Sequence, residues 1–356
     1  MSQRILVGMS GGVDSSVAAL LLQEQGFRVD GVTLRLCADP ARITDKSLEA
    51  ERDAAAVAQR LGIAHRVWDY SRLFRDTVVT NFADTYQNGA TPNPCIVCNR
   101  CIKFGRMLEQ ALEEGYDTIA SGHYVRSEWD ATRGRWLLKK AADPARDQSY
   151  VLYMLTQHQL AHIRFPLGGY SKPELRSLAE KRGLITANRP DSQDICFVPN
   201  GDYLAFLEEN MGVVGIPGNF VDEDGHILGE HRGVEAYTIG QRKGLGIAFG
   251  EPRFVVSKDA ATNTVVLGKS EALFSRSLLA ENANWIAVES LTEPLRVTAR
   301  TRYQQRESAA TVEPYGENGF RVVFDEPQRA ITPGQAVVLY QGDLVVGGGT
   351  IVRGFR

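Results

Sequence analysis

The chain opens with a short apolar run, RILVGMS, that ends in glycines and gives way to SSVAALLLQEQGF, where apolar residues recur at helical spacing up to a stop at Gly26. RVDGVTLRL then reads as a strand, SLEAERDAAAVAQRLG as an amphipathic helix and AHRVWDY as a third strand. A helix through LFRDTVVTNFADTY, a loop TPNPCIVCN, a helix IKFGRMLEQALEEG and a strand YDTIASGHY continue the alternation. Strands separated by helices form a parallel sheet with right-handed crossovers, so this part is expected to be a doubly wound α/β domain.

From about Asp147 to Gly212 the pattern predicts mostly helix, in SYVLYMLTQHQLAHI, KPELRSLAEKRG and GDYLAFLEENMG. From Gly215 onward it changes. Turn signals DEDG, TNT, GENG and QGD separate short alternating runs such as PLRVTARTR, FRVVFD, AVVLY and LVVGGGTIV, so the remainder is expected to be predominantly β. No internal repeat or low-complexity linker interrupts the chain.

Composition narrows the function classes. The 356 residues are 43% hydrophobic and 23% charged, which excludes a disordered or fibrous chain. Lys+Arg 40 against Asp+Glu 43 leaves a net charge of -3, so any nucleic-acid role needs a local basic surface. No stretch approaches 18 uncharged apolar residues and no leader pattern opens the chain, which reads as a cytoplasmic protein with no membrane role. Five cysteines are an odd number, and Cys95, Cys98 and Cys101 crowd together; the clustering suggests reduced, chemically employed thiols.

Ser10-Gly11-Gly12-Val13-Asp14-Ser15-Ser16 stands between the first strand and the first helix. Its glycines let the backbone turn tightly and approach a ligand, while Ser10, Ser15 and the helix N-terminal N–H groups offer donors to phosphate oxygens. The plainer alternative is a strand-to-helix turn with Ser or Asp as N-cap. A Walker loop is excluded, since Asn263 stands where Gly268-Lys269-Ser270 requires glycine, and no GxGxxG fits. Gly8-Met9-Ser10-Gly11-Gly12 satisfies GxSxG, but a nucleophile elbow normally follows several strands and this one follows the first.

Prolines hold Thr91-Pro92-Asn93-Pro94 extended up to Cys95, so the thiols are expected on a loop. Spacing alone leaves structural zinc, an iron–sulfur cluster, or two reactive thiols plus a bystander; a zinc needs a fourth ligand, and no second CxxC or His pair lies nearby. Cys37 reads more simply as a buried apolar residue.

SGGVDS closely resembles the pyrophosphate-loop signature of ATP pyrophosphatases. Taken with TPNPxxxCNxxIKF, ASGHY, RDQSY, DSQDICF, YTIGQRKGLGI and TPGQ, the whole chain resembles the tRNA-specific 2-thiouridylase family. That resemblance implies a pyrophosphatase domain over 1–212, a small mostly β domain over 213–275 and a C-terminal β-barrel over 276–356. It implies ATP and Mg2+, with Gly8, Met9, Ser10, Gly11, Gly12, Val13, Asp14 and Ser15 cradling the nucleotide, Leu34 and Gly122 binding it too, and Asp14 near the metal and the leaving pyrophosphate. Cys196 would accept a persulfide sulfur from a donor protein and Cys98 would be its partner thiol, the two ending as a disulfide.

The same resemblance implies an anticodon-loop tRNA as partner, with a wobble uridine, position 34, as target and a monomeric enzyme. Asn93, Pro94 and Cys95 would touch the base, and His123, Arg146, Asp147, Gln148, Arg302, Tyr303 and Gln335 the tRNA. Asp147 also reads as a cap of the SYVLYML helix and His123 as a structural histidine. Many members carry Asp where this chain has Cys95 and no cysteine where it has Cys101, which makes thiolate ligation of a [4Fe-4S] cluster by Cys95, Cys98 and Cys196 physically easier, with Cys101 an alternative ligand. Local basic features are present in Arg232, Gln241-Arg242-Lys243-Gly244 and the stripe Arg300, Arg302, Arg306; on an alternating strand TARTRYQQR, Arg300 and Arg302 would share a face and Tyr303 the other. Two other classes compete: a ligase or amidotransferase sharing the SGGxDS loop, and a metal-stapled RNA-binding protein.

Overall fold

The computed structural model describes residues 2–36, 45–187, 189, 195–198, 201–247 and 250–356. Cys37 and the Asp191-Ser192-Gln193-Asp194 part of DSQDICF lie outside the described residues. The chain divides into two compact units, both discontinuous: Met1–Val78, Cys95–Gln193 and Asp343–Val345 form the first, and Val79–Pro94, Asp194–Gly342 and Val346–Arg356 the second.

In the first unit, β1 (Arg4–Gly8) leads to helix α1 (Val13–Glu24), β2 (Arg28–Arg35), helix α2 (Asp45–Leu61), β3 (His65–Asp69) and β4 (Thr118–Ala120). A hairpin of β5 (Val125–Asp130) and β6 (Arg135–Lys140) follows, then β7 (Ile163–Arg164). The sheet order is β3-β2-β1-β4-β7, every pair parallel. Ile5, Leu6 and Val7 are buried on both faces of β1, as a central parallel strand requires. The chain crosses from one side of the sheet to the other between β1 and β4, and ligands bind outside the carboxyl ends of strands at such a switch point.

Three local expectations change. The stretch expected as one helix from Ser149 is a single 3-10 turn (Ser149–Val151), a short helix Gln157–Ala161 and then β7. A capping box between Thr156 and Gln159 starts that helix afresh, and Tyr150, Leu152, Leu155 and Leu160 are all buried without forming one helical face. The β5–β6 hairpin was not foreseen; Trp129 opposes Trp136 across it, their ring centroids 6.0 Å apart. Pro94–Cys98 is helical rather than loop, continuing into a π-helix Asn99–Arg106 and an α-helix Met107–Glu113. Proline suits the first helical position because it has no N–H to leave unpaired, so its restriction falls on Asn93, outside the helix.

In the second unit a four-stranded sheet runs β10-β11-β8-β9, from β8 (Gly218–Val221), β9 (Ile227–His231), β10 (Phe254–Asp259) and β11 (Thr264–Gly268), around buried Phe220, Val255, Val265 and Leu267. The remaining strands are β12 (Phe274–Trp285), β13 (Leu295–Arg300), β14 (Ser308–Tyr315), β15 (Gly319–Arg329), β16 (Ala336–Gln341) and β17 (Leu344–Phe355). Their order β12-β15-β14-β13-β16-β17, with β12 pairing back onto β17, closes a six-stranded barrel. Inward residues alternate, as in Val297 and Ala299, Ala310 and Val312, Phe320, Val322 and Phe324.

Candidate active site

The glycine-rich turn is fixed from both sides. Met9 donates its N–H to the Val32 carbonyl at 2.7 Å and accepts from Thr33 Oγ1 at 2.8 Å, which ties the loop to β2. Gly11 has φ +72°, and a Cβ there would overlap the carbonyl oxygen of Ala50 on α2. Gly12 is different: its φ is -95° and, among the described residues, a Cβ would meet only Ser10 Oγ, at 3.5 Å. No described residue requires glycine at position 12.

Gly12 is the N-cap of α1 and provides no side-chain cap, so the turn does not use Ser or Asp as one. Ser15 instead turns inward, accepting from the Ser10 N–H at 3.1 Å and donating to the Gly12 carbonyl at 3.2 Å. Among the described residues, no acceptor takes the N–H groups of Gly11, Gly12, Val13, Asp14 or Ser15. Five such donors at the positive end of a helix are a setting that suits an anion. Gly122, at the end of β4, packs onto it so closely that a Cβ would lie 2.8 Å from the Ser15 nitrogen. Leu34 is half-buried near the carboxyl end of β2.

Asp14 projects from the first turn of α1 into a set of donors that the sequence reading missed. Lys172 Nζ sits 2.8 Å from each Asp14 carboxylate oxygen, and the Tyr124 hydroxyl donates to Oδ1 at 2.6 Å. The Lys172 side chain is 6% exposed and that of Asp14 31%. Oδ1 takes two donors and Oδ2 one, leaving Oδ2 able to ligate a cation, so this carboxylate fits a magnesium ion as well as its protein partners. One signal was available: Lys172 is the first residue of helix Lys172–Lys181, where the dipole disfavours a cation and a lysine is rarely buried. Arg189 lies near the same loop, donating to the Gly11 carbonyl at 3.3 Å and pairing with Asp53.

The cysteines divide by exposure. Cys95 is exposed, Cys98 buried at 7% and Cys101 half-buried, all on the helical run that starts at Pro94. Their three sulfurs do not lie within 4.8 Å of one another. In the π-helix that follows Cys98, a Cβ on Gly105 would lie 2.6 Å from the Arg100 carbonyl oxygen, an approach that glycine admits. Cys196, in the second unit, is exposed on a short turn, with neighbouring Phe197 packed edge-on to Phe82 and Phe206, each 5.2 Å away. No disulfide joins Cys98 and Cys196 among the described residues.

Several expected RNA contacts have internal partners. Asp147 is buried, accepting from the Ala141 and Ser149 N–H groups at 3.2 Å each and from Ser149 Oγ at 2.8 Å. Gln148 accepts from the Tyr124 N–H at 2.8 Å, and Arg146 beside it is half-buried. His123 is paired with Ser121 through Nδ1; desolvation, then the Lys103 charge, hold its pKa well below the usual histidine value, so it is neutral at pH 7. In the second unit, β13 stops at Arg300, so Arg302 and Tyr303 follow the strand instead of continuing it. The stripe dissolves accordingly. Arg300 pairs with Glu307 at 2.9 Å, and Arg302 donates to the Ala330 carbonyl at 2.8 Å and Thr332 Oγ1 at 3.1 Å. Tyr303 is exposed, as are Arg242, Lys243 and Arg306.

Gln335 does something the motif did not disclose. Its Nε2 donates to the Thr91 and Pro92 carbonyls at 3.0 and 2.9 Å, while the Thr91 N–H donates to the Pro333 carbonyl at 2.9 Å. The segment carrying Asn93 and Pro94 is thereby pinned by the TPGQ turn.

Comparison with known proteins gives this arrangement a family. A model described as the tRNA methyl transferase HUP domain matches residues 3–200, the tRNA methyl transferase PRC-barrel domain matches 204–269, and the aminomethyltransferase beta-barrel domain matches 275–351. The tRNA-specific 2-thiouridylase MnmA 1 of Caldanaerobacter subterraneus subsp. tengcongensis is 51% identical over 362 residues, covering 100% of both chains. The tRNA-specific 2-thiouridylase MnmA of Acetivibrio thermocellus is 49% identical over 355 residues, covering 98% of this chain and 99% of its own. Among solved structures, the U34-tRNA thiolase NcsA from Methanococcus maripaludis matches at 20% identity and TM-score 0.35, over 58% of this chain and 66% of that one, too distant to bear on the chemistry. No described helix is long and apolar enough to cross a membrane. With three segments matched in order and about half of all positions shared from end to end, the chain belongs to the tRNA-specific 2-thiouridylase family.

Proposed function

We propose that the protein thiolates C2 of the wobble uridine in tRNA, using ATP to activate the base oxygen and a cysteine persulfide as sulfur source. The observation that carries the reading is the set of N–H groups from Gly11 to Ser15 that no described residue accepts, beside a carboxylate held by Lys172 and Tyr124. Uridine O2 attacks the α-phosphorus of ATP and pyrophosphate leaves. Negative charge grows on the bridging oxygen as that bond breaks, and preorganised donors stabilise it without reorganising. Asp14 would hold magnesium, which supplies further charge neutralisation at the leaving pyrophosphate.

The adenylated oxygen is now a leaving group. The terminal sulfur of a Cys196 persulfide attacks C2 and AMP departs; the Cys98 thiolate then attacks Cys196 Sγ, releasing 2-thiouridine and leaving a Cys98–Cys196 disulfide. An anticodon-loop base is already single-stranded, so presenting it costs little. Arg242 and Lys243 are exposed cations suited to phosphate contact, in a chain whose net charge of -3 would otherwise repel RNA. A persulfide-carrying protein is the sulfur donor, and the enzyme acts as a monomer in the cytoplasm.

Incubation with unmodified tRNA, ATP, magnesium and a persulfide source tests this, with AMP, pyrophosphate and thiouridine measured together. All three products are expected in equal amounts. AMP without thiouridine would favour an adenylating ligase, and no product an RNA-binding protein. The alternative sulfur chemistry, a cluster on Cys95, Cys98 and Cys196, predicts iron and acid-labile sulfide in protein kept from air and their loss in Cys95→Ala; the thiol route predicts neither.

A further inference from the structure

The Met9–Ser10 peptide, where the glycine-rich turn begins, is held at both ends. Thr33 Oγ1 donates to the Met9 carbonyl at 2.8 Å, and the Ser10 N–H donates to Ser15 Oγ at 3.1 Å. Behind Thr33 stands a histidine that the thiolation chemistry leaves unused: His65 Nε2 lies 2.9 Å from the same Thr33 oxygen. We infer, on the reading of this turn as the ATP site, that His65 and Thr33 are positioning residues that lock the Met9–Ser10 peptide in the orientation a phosphate requires.

Proton counting fixes the direction of the chain of hydrogen bonds. A carbonyl oxygen only accepts, so the single hydroxyl proton of Thr33 lies toward Met9. The contact with His65 must then take its proton from the imidazole, so Nε2–H donates to Thr33 Oγ1, which donates in turn to the Met9 carbonyl. Desolvation, partly opposed by the Glu51 charge, lowers the His65 pKa below the ordinary histidine value, so at pH 7.5 the ring is neutral with its one proton on Nε2. The packing agrees. Gly31 is the register partner of His65 and shares a face of β2 with Thr33. A Cβ at Gly31 would overlap Met9 Sδ and lie 3.3 Å from His65 Cδ2, so glycine leaves the room that the Met9 side chain and the imidazole occupy.

The C=O and N–H of a trans peptide point in opposite directions. Turned over, this peptide would aim the Met9 carbonyl toward Ser15, on the side where the first turn of α1 offers its N–H groups, and the oxygen's partial negative charge would oppose a phosphate there. Met9 is 2% exposed and Thr33 5%, so a carbonyl and hydroxyl that parted would lose each other with little water to replace the bond.

The test measures ATP affinity by calorimetry on the full-length protein, with magnesium and without tRNA, alongside the thermal midpoint. Thr33→Val keeps the shape and removes the donor, and should weaken ATP binding about 10-fold. His65→Leu should weaken it about 3-fold, whereas Thr33→Ser and His65→Gln, which keep a donor at each step, should stay within about two-fold of wild type. Affinity within about two-fold of wild type in Thr33→Val would overturn the lock, because a purely structural pair moves the midpoint alone. A measurement on the wild type holds even if Thr33→Val fails to fold. A long-range proton–nitrogen spectrum of protein carrying nitrogen-15 histidine, at pH 7.5, should show His65 as the Nε2–H tautomer, its signal identified by its absence from His65→Gln. The Nδ1–H tautomer would overturn the lock and leave the ATP site standing, and a wild type that binds no ATP would overturn both.

Discussion

Replacing Lys172 by Met removes the ammonium that bridges both oxygens of Asp14 while keeping the length of the side chain. What remains on the carboxylate among the described residues is the Tyr124 hydroxyl, at 2.6 Å. Stripping one partner from a fully buried ion pair costs about 3–5 kcal/mol, and an exposed pair contributes about 0–1 kcal/mol. The pair here lies between those limits, because the Lys172 side chain is 6% exposed but that of Asp14 is 31% exposed and recovers some hydration. An effect of about 2 kcal/mol follows, equivalent to about 30-fold at 1.4 kcal/mol per factor of ten. The assay is the single-turnover rate of AMP formation at saturating tRNA and ATP, with the thermal midpoint measured on the same protein. Lys172→Met should slow AMP formation by about that factor, and Tyr124→Phe, which loses one hydrogen bond worth about 1 kcal/mol, by about 5-fold. In an Asp14→Ala background Lys172→Met should cost little more, because the two side chains act as one unit. AMP formation within two-fold of wild type in Lys172→Met, or full multiplicative losses in the double variant, would refute the positioning role.

Gly11→Ala should lower the thermal midpoint, since the φ of +72° alone costs about 1–2 kcal/mol and the new methyl overlaps Ala50. Gly12→Ala should leave the midpoint unchanged and weaken ATP binding, as measured by calorimetry, because among the described residues its methyl meets only Ser10 Oγ, in the loop itself. Gln335→Ala loses two hydrogen bonds to the Thr91 and Pro92 carbonyls, about 1 kcal/mol each, so urea denaturation should detect it while the salt dependence of tRNA affinity stays as in wild type. Arg242→Ala should do the reverse, leaving stability alone and reducing the log–log salt slope by about 1. Lys258 donates to the Tyr237 carbonyl at 2.6 Å, and desolvation, partly opposed by Glu235, lowers its pKa to about 8 from an ordinary 10.5. Between those values the unfolded chain binds the proton and the folded one does not, so stability should rise from pH 8 to pH 9.5, and the rise should vanish in Lys258→Met when melting is followed across that range.

What the sequence disclosed and what it withheld differ by the distance over which the determining interaction acts. The glycine-rich strand-to-helix turn was legible because its parts are local: a buried strand, a glycine pair and a helix start within a dozen residues impose the same geometry wherever they occur. The barrel was legible for a similar reason, since alternation repeats along each strand, although closure through β12 and β17 belongs to no single segment. Lys172 was hidden because its partner is 158 residues away, and only its misfit at a helix start marked it. The arginine stripe failed in the opposite direction. A count of cations cannot tell which are already spent on carbonyls and carboxylates, and Arg300 and Arg302 are spent that way. Gln335 combines both lessons, because a motif residue expected to face RNA uses its amide to hold the segment that carries Asn93 and Pro94. A polar residue in a functional motif therefore carries two hypotheses, contact and scaffold, and the donor inventory of the folded chain decides between them: a side chain whose donors already have buried acceptors acts on the ligand through whatever it holds in place.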